Sequence, residues 1–144
     1  MPRDRVALAR WGILNARQTM GEVSKYISVV GTPLTIGDEN YDSGIGAHAT
    51  SFIEMPLDGL FESMAVTVGI DGSTEGRGSV IFRIFADGRE VANSGLVNGF
   101  SKPASLEVDD LADVRRLVLS ITDGGDGEKH DVANWVDGEL HLAN

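Results

Sequence analysis

The sequence predicts a single all-β domain built as a sandwich, and three observations lead to this prediction. Short runs of residues alternate in polarity with a period of two, as residues 64–70 do. Turn-forming residues separate these runs, and most of the 18 glycines lie at the joints between them. Patterns with helical spacing are few. Many short strands divided by regularly spaced turns are typical of a sandwich or barrel.

The predicted strands follow one another along the chain. After residues 64–70, the run 79–85 is rich in β-branched and aromatic residues, and Asp87-Gly88 predicts a hairpin turn into the next strand. Alternation returns at residues 117–121 and stops at a glycine-rich turn. Leu140 and Leu142 flank His141 in a last short strand.

Helix and domain predictions are fewer. One or two helical turns are predicted within residues 6–16, and a single turn within residues 109–114, although neither segment has a convincing cap. Residues 1–10 are predicted to form a tail or a lead-in strand. Residues 11–144 are predicted to form the sandwich domain.

Composition excludes several classes of protein. The 144 residues suit one domain, and a hydrophobic content of 42% supplies a core. The absence of cysteine excludes disulfides, thiolate metal sites and a cysteine nucleophile. A net charge of −10 disfavours nucleic acid and anionic membranes as partners. No segment has the apolar length needed for membrane insertion. The opening residues lack the apolar region of a signal peptide, so either the protein stays inside the cell or an export signal lies outside this sequence.

The segment 41–49 places two glycines in alternation, followed at once by a histidine. Gly44 and Gly46 leave one face of the predicted strand almost without side chains, which lets another backbone or a ligand approach. The imidazole of His48 can donate and accept hydrogen bonds, which suits a sugar hydroxyl. A partly buried side chain that bonds to a backbone group is the alternative, and the isolated position of this histidine favours it.

The segment 123–135 is acidic and rich in glycine. Asp123, Asp126 and Asp131 supply carboxylate oxygens, and hard cations such as Ca²⁺ prefer oxygen ligands. The spacing differs from that of an EF-hand loop. A solvated turn, whose Asp side chains bond to nearby N–H groups, is the alternative. Both interpretations stay open.

Trp135 follows these acids directly. An aromatic face beside carboxylate and amide groups is the usual chemistry of sugar recognition, in which the ring stacks and the polar groups fix the hydroxyls. A core position for Trp135 is the alternative, since large aromatic residues are mostly buried.

Catalytic motifs are missing from the sequence. It contains no Gly-x-Ser-x-Gly elbow, no His-Glu-x-x-His motif and no phosphate-binding loop between a strand and a helix. We therefore predict a domain without enzymatic activity.

A series of motifs, taken in order, resembles a known family. The motifs are Trp11-Gly12, PLTIG (33–37), YDSGIGAHA (41–49), VGID (68–71), FRIFADG (82–88), NSG (93–95), TDGGDG (122–127) and DVANW (131–135). Their order and spacing resemble the NPCBM/NEW2 family, which overlaps carbohydrate-binding module family 51. The resemblance extends from about Trp11 to Leu142.

The resemblance implies a jelly-roll β-sandwich of the galactose-binding-like type. It implies a non-catalytic module that binds galactose-containing glycans, attached to a secreted glycoside hydrolase, with bound calcium in some members. An extracellular or cell-surface location is implied by the same resemblance. The family's late motif usually reads Asp-His-Ala-Asp-Trp, whereas this chain has Val132 in place of the histidine and Asn134 in place of the second aspartate.

Three hypotheses follow, and the first is a carbohydrate-binding module. Its predicted sugar-binding residues are His48, Asp126, Asp131, Asn134 and Trp135, and its predicted Ca²⁺ ligands are Asp123, Asp126 and Asp131. The second is a structural or protein-interaction sandwich without a sugar site, which the changes at Val132 and Asn134 favour. A catalytic fragment is the third and weakest.

Overall fold

The computed structural model describes residues 5–18, 23–28, 30–124 and 131–143. Strands dominate these residues, together with the short 3-10 helices η1 (Leu8–Arg10) and η2 (Gly72–Thr74). The strands are β1 (Arg5–Ala7), β2 (Asn15–Gln18), β3 (Ser24–Lys25), β4 (Thr35–Ile36), β5 (Glu39–Asn40), β6 (Gly44–His48), β7 (Ser51–Pro56), β8 (Phe61–Ile70), β9 (Ser79–Ala86), β10 (Arg89–Asn98), β11 (Ala104–Val108), β12 (Arg116–Asp123) and β13 (Val132–Leu142).

Two antiparallel sheets form the sandwich. The first sheet has the order β11-β8-β13-β6-β3, with β1 pairing to β13, and the second has the order β10-β9-β12-β7-β2. The small hairpin β4–β5 stands outside both sheets. The all-β sandwich predicted from the alternating runs is therefore confirmed.

The core lies between the two sheets, because alternate residues of each strand point inward. Trp135 from β13 meets Phe82 from β9 edge to face, with ring centroids 5.1 Å apart and an interplanar angle of 85°. Ile45 and Val68 lie directly beside Trp135 in the register of the first sheet and are fully buried. Burial of each such side chain stabilises the fold by about 1.5–3 kcal/mol.

A short arm of chain covers the outer face of the first sheet, and glycines make room for it. A Cβ added at Gly44 would lie 2.5 Å from the carbonyl oxygen of Trp135 and 3.0 Å from Leu34 Cδ1. A Cβ added at Gly69 would overlap Ile36 Cγ2. The close approach predicted for the glycine strand therefore takes place, and what approaches is the arm leading into β4.

The predicted strands are all present, and the last one is longer than predicted. Leu140 and Leu142 end an 11-residue strand that begins at Val132. A bulge between Val136 and Glu139 interrupts its pairing with β8, which hid the full length of the strand from the alternation pattern.

The structure confirms one of the two helix predictions and corrects the other. Residues 6–16 contain one 3-10 turn, Leu8–Arg10, set between β1 and β2. Residues 109–114 form no helix; a turn closes there, with Val114 N–H donating to Leu111 C=O at 3.0 Å and Asp113 at φ 67°. The prediction was wrong at this point because a positive φ ends helical geometry within a single turn.

The first described residues belong to the body of the sandwich. β1 pairs with β13, and Leu8 and Ala9 are buried in the main core. Among the described residues, none of the helices has the length and apolar character required to cross a lipid bilayer.

Candidate functional site

One end of the sandwich gathers the connections that carry most of the polar motifs. Pairing brings Asn98 opposite Ser79, Asp123 opposite Val80, and His48 opposite Val132. The connections 49–50, 71–78 and 99–103 and the facing ends of β12 and β13 therefore share this end, which we name the loop end.

Trp135 is not available at the loop end as a stacking surface. Its side chain is 1% exposed, and the indole packs in the core against Phe82. The stacking role predicted for Trp135 is therefore corrected to a core role. The physical reason is strand register: Trp135 points inward opposite Ile45, so its neighbours Asn134 and Val136 point outward.

His48 and Asn134 lie on the outer face of the first sheet, and both are buried. The ring Nδ1 of His48 is 2.5 Å from the carbonyl oxygen of Ala49, which makes Nδ1 the donor. The amide Nδ2 of Asn134 donates to the carbonyl oxygen of Thr35 at 2.7 Å and to Asp71 Oδ1 at 2.6 Å. Asn134 is fully buried and offers no surface to a sugar, and His48 is 9% exposed and offers little.

Asp71 is the centre of a buried polar network that sequence analysis missed. Its Oδ1 accepts from the Thr35 N–H at 3.3 Å, and its Oδ2 accepts from the Ser73 N–H at 3.0 Å. Gly72 N–H donates to Thr35 Oγ1 at 2.8 Å. We name Thr35, Asp71 and Asn134 the polar clamp. It ties β4 and η2 to β13 and satisfies a carboxylate that is 1% exposed.

The three predicted Ca²⁺ ligands are only partly placed. Asp126 lies outside the described residues. Asp131 is fully buried, with Oδ1 accepting from the Ser79 N–H at 2.9 Å. Asp123 ends β12, and the next residue, Gly124, donates its N–H to the Ser79 carbonyl at 2.8 Å.

Asp131 thus contacts Ser79 directly, and Asp123 precedes the glycine that bonds to the Ser79 carbonyl. Their carboxylate oxygens suit a hard cation, but Ca²⁺ takes about six to eight oxygen ligands. Across the described ranges, no group of three or more acidic or histidine side chains is arranged to hold a metal ion. Asp123 and Asp131 could therefore supply only part of the ligand set of a calcium site.

An open hollow at the loop end presents an exposed aromatic ring. Phe100 is 86% exposed, and the hollow beside it has a volume of about 300 Å³. We name it the Phe100 hollow; it is lined by Gly37, Asp38, Gly72, Glu75, Gly76, Gly99, Phe100 and Ser101. The hollow therefore combines an apolar ring face with carboxylate and hydroxyl groups.

Local hydrogen bonds hold the turn that carries Phe100. The Phe100 N–H donates to Asn98 Oδ1 at 2.8 Å, and the Asn98 N–H donates to Ser101 Oγ at 3.0 Å. A Cβ added at Gly76 would overlap Phe100 Cζ, so the tip of the ring rests on a glycine with φ 87°. The ring is thus positioned by its own turn and by a neighbour without a side chain.

The charged groups around the hollow are mostly acidic. Asp38 and Glu75 line it, and the guanidinium of Arg77 contacts Glu75 Oε1 at 3.3 Å. Arg77 Nε also donates to the Thr74 carbonyl at 3.2 Å. Carboxylates that accept hydrogen bonds beside an aromatic face can bind a ring that has both hydroxyl groups and an apolar C–H face.

A second hollow of about 310 Å³ adjoins the first. The two hollows share Gly37 and Gly72. Asp71 of the polar clamp lies in the wall of the second hollow, so the clamp supports the surface between the two hollows.

The sequence contains one sign of the Phe100 hollow. Gly99-Phe100-Ser101 puts a large aromatic residue in a turn, where no core position is expected.

The fold and the loop end define a class: a β-sandwich binding domain with an open polar and aromatic hollow. The chain belongs to the NPCBM/NEW2 domain family, whose family model matches residues 4–141. The resemblance drawn from the sequence motifs is therefore confirmed. The domain is a non-catalytic carbohydrate-binding module.

Two relatives show the range of similarity. The chain is 33% identical over 129 residues to alpha-1,3-galactosidase B of Akkermansia muciniphila, covering 87% of this chain and 16% of that protein. It is 30% identical to the CBM51 of Clostridium perfringens GH95, solved in complex with methyl-galactose, with a TM-score of 0.87 over 94% of this chain and 99% of that one.

A third solved structure shares the fold. The CBM51-2 and INT domains of Clostridium perfringens ZmpB, in complex with GlcNAc, give a TM-score of 0.89 at 24% identity, covering 97% of this chain and 32% of that one. The chain thus spans 16% of the galactosidase's length but nearly all of a separately solved CBM51 module.

Proposed function

We propose that the Phe100 hollow binds the terminal galactose-type sugar of a glycan without cleaving it. The observation that carries this proposal is the 86% exposed ring of Phe100 beside the carboxylates of Asp38 and Glu75. A galactose ring has an apolar C–H face for stacking and hydroxyls that donate to carboxylates. The methyl-galactose complex of a module 30% identical to this chain supports the same ligand class.

The proposed binding is weak for one sugar. The hollow is open, offers a single aromatic face and encloses little of the ligand. A monosaccharide with one stacked face and a few hydrogen bonds binds with a free energy of about −4 kcal/mol, or a dissociation constant near 1 mM. Glycan surfaces with many copies of the terminal sugar compensate through multivalency.

The buried motif residues act in this proposal as supports. The polar clamp fixes η2, and the chain passes from η2 through Glu75 to Gly76 beneath the Phe100 ring. Asn134 therefore affects the affinity for sugar indirectly, because the clamp helps to fix the position of Glu75. His48 and Asp131 are buried beneath the same end, and we assign them no direct contact with sugar.

The proposed context is a larger secreted enzyme. Because the chain spans only 16% of a related galactosidase, we propose that it serves as the glycan-targeting module of a glycoside hydrolase acting on galactose-containing glycans outside the cell or at its surface. Calcium binding by Asp123, Asp126 and Asp131 stays a prediction, supported by Asp131, whose carboxylate contacts Ser79, and by Asp123, whose neighbour Gly124 bonds to the same residue.

Titration with methyl galactoside tests the proposal, using wild type and Phe100→Ala. We expect a loss of affinity of about 10-fold in the variant, since the substitution removes the apolar face against which the sugar is buried, and full burial of such a side chain contributes about 1.5–3 kcal/mol. The matched control is Phe52→Ala, which removes a 47% exposed phenylalanine on β7, away from the hollow.

Two results would contradict the proposal. Equal loss of affinity in both variants would place the effect outside the hollow. Failure of the folded wild type to bind any galactoside or array glycan would favour the structural or protein-interaction module instead.

A further inference from the structure

We infer that the Phe100 hollow selects glycan ends without charge, and that Asp38 and Glu75 exclude anionic ends such as uronic acid, sialic acid or sulfate. This inference rests on the proposed function of the same hollow. It concerns what the site rejects, which the stacking ring of Phe100 does not determine, because an aromatic face accepts neutral and anionic sugars alike.

The first step is to identify the charged side chains around the hollow. Asp38 and Glu75 line it, and both side chains are exposed. Glu39 follows Asp38 on the β4–β5 hairpin, and its Oε2 accepts from the Tyr41 hydroxyl at 2.8 Å. Asp71 lies in the wall of the adjoining hollow. Asp38 and Glu75 therefore line the hollow itself, whereas Glu39 is next to Asp38 in the chain and Asp71 is buried in the adjoining wall.

Cations only partly balance these carboxylates. Arg77 contacts Glu75 Oε1 at 3.3 Å and also donates to the Thr74 carbonyl, so it is held on the side of Glu75. Lys102 follows Ser101 on the exposed side of the turn. Within the described ranges, Asp38 has no ion-pair partner. Among these described groups, four carboxylates against two cations leave the surroundings of the hollow negative, in a chain of net charge −10.

The second step is the size of the effect. With the dielectric constant of bulk water, a charge about 6 Å from one carboxylate is repelled strongly enough to change affinity by about 3-fold, and two carboxylates together by about 10-fold. The screening length at physiological salt is about 8 Å, so the exclusion weakens as salt is added. Desolvating a carboxylate of the ligand beside Asp38 acts in the same direction.

The test uses three sugars that differ in charge at one position. Methyl galactoside is the neutral reference, methyl galacturonide carries a carboxylate at C6, and its primary amide restores neutrality at nearly the same shape. For wild type at low salt, we expect methyl galacturonide to bind about 10-fold more weakly than the amide. In the double variant Asp38→Asn with Glu75→Gln, we expect this ratio to fall to about 2 or less.

The readout is the ratio of the affinities for methyl galacturonide and for its amide. Hydrogen bonds lost in the double variant weaken the binding of both sugars and so leave this ratio unchanged. Asp110→Asn is the control: it removes one exposed carboxylate from the connection after β11, at the opposite end of the sandwich. Its ratio should stay that of wild type. Thermal melting of each variant checks that it is folded.

The outcomes separate this inference from the proposed function. If wild type binds methyl galacturonide as tightly as its amide, the exclusion of anions is overturned while sugar binding stands. A ratio that is unchanged in the double variant would overturn the assignment to Asp38 and Glu75. If no galactoside binds at all, the proposed function itself fails.

Discussion

Two regions of the loop end contain similar chemistry and use it differently. The buried motif at Asp131–Trp135 holds an acid, an amide and an indole in five residues, all packed beneath the surface. The Phe100 hollow has an aromatic ring and two carboxylates drawn from three separate connections, all exposed. The residue types typical of a sugar site that are adjacent in the sequence, at 131–135, thus support the fold. The open hollow is instead assembled from residues that are far apart in the sequence.

Trp135→Ala has the largest expected effect, and it acts on stability. Removing an indole that is 1% exposed and packed on Phe82 costs about 3–5 kcal/mol of the free energy of unfolding. Chemical denaturation measures this change, and Trp135→Phe should recover part of it. If Trp135→Ala kept wild-type stability and lost only sugar affinity, the indole would be a ligand platform and its core assignment would be wrong.

Asn134→Asp is expected to have the next largest effect. It would set a second carboxylate against Asp71, whose Oδ1 now accepts from the Asn134 amide at 2.6 Å. Two buried carboxylates at this distance cannot both ionise, so we expect a loss of about 2–4 kcal/mol at pH 7. Denaturation of the variant and of wild type across pH measures the difference.

The sign of the pH dependence follows from the proton that the two carboxyls would share. In Asn134→Asp, the new carboxyl at position 134 would have a raised pKa in the folded state, because burial and the neighbouring carboxylate both disfavour its charged form. The lost stability therefore returns as pH falls below that pKa and disappears again as pH rises through it. Asn134→Ala is the control, because it removes the clamp without adding a charge. A stability difference from wild type that does not change with pH would show that the two carboxylates do not meet.

The strand pattern was largely predictable, and the reasons lie in particular residues. Alternation at residues 64–70 and the Asp87-Gly88 turn are local properties, and β8 and the β9–β10 hairpin lie where those residues predicted them. Gly44 correctly indicated a close approach. Which segment approaches depends on Leu34 and Ile36, and sequence spacing carries no information on that contact.

The candidate site was less predictable because orientation depends on register. A shift of one residue exchanges the inner and outer faces of a strand, so Trp135 and Asn134 could not be assigned to faces from the sequence. The bulge after Val136 adds a further irregularity. Asp71 gave no sign of its partners either, since Thr35 and Asn134 are 36 and 63 residues away from it.

Adding calcium is expected to have a smaller effect on stability. This prediction concerns the part of the loop end beside Ser79. If Asp123, Asp126 and Asp131 hold Ca²⁺, a concentration about 100 times the dissociation constant stabilises the fold by about 2.7 kcal/mol. Thermal melting with Ca²⁺ and with chelator measures this shift. Asp123→Asn should reduce it, whereas Asp110→Asn should leave it intact. Identical melting in all conditions would count against a stabilising site.

Phe100→Ala has the smallest expected effect on stability, which is what makes it informative. A side chain that is 86% exposed removes little apolar surface from water, so its truncation should change the free energy of unfolding by less than about 0.5 kcal/mol. Denaturation of this variant beside Trp135→Ala compares the two aromatic residues directly. A large destabilisation would mean that the Phe100 ring holds the turn together through its contact with Gly76, and the loss of sugar affinity in Phe100→Ala would then report on the fold of the turn instead of on stacking.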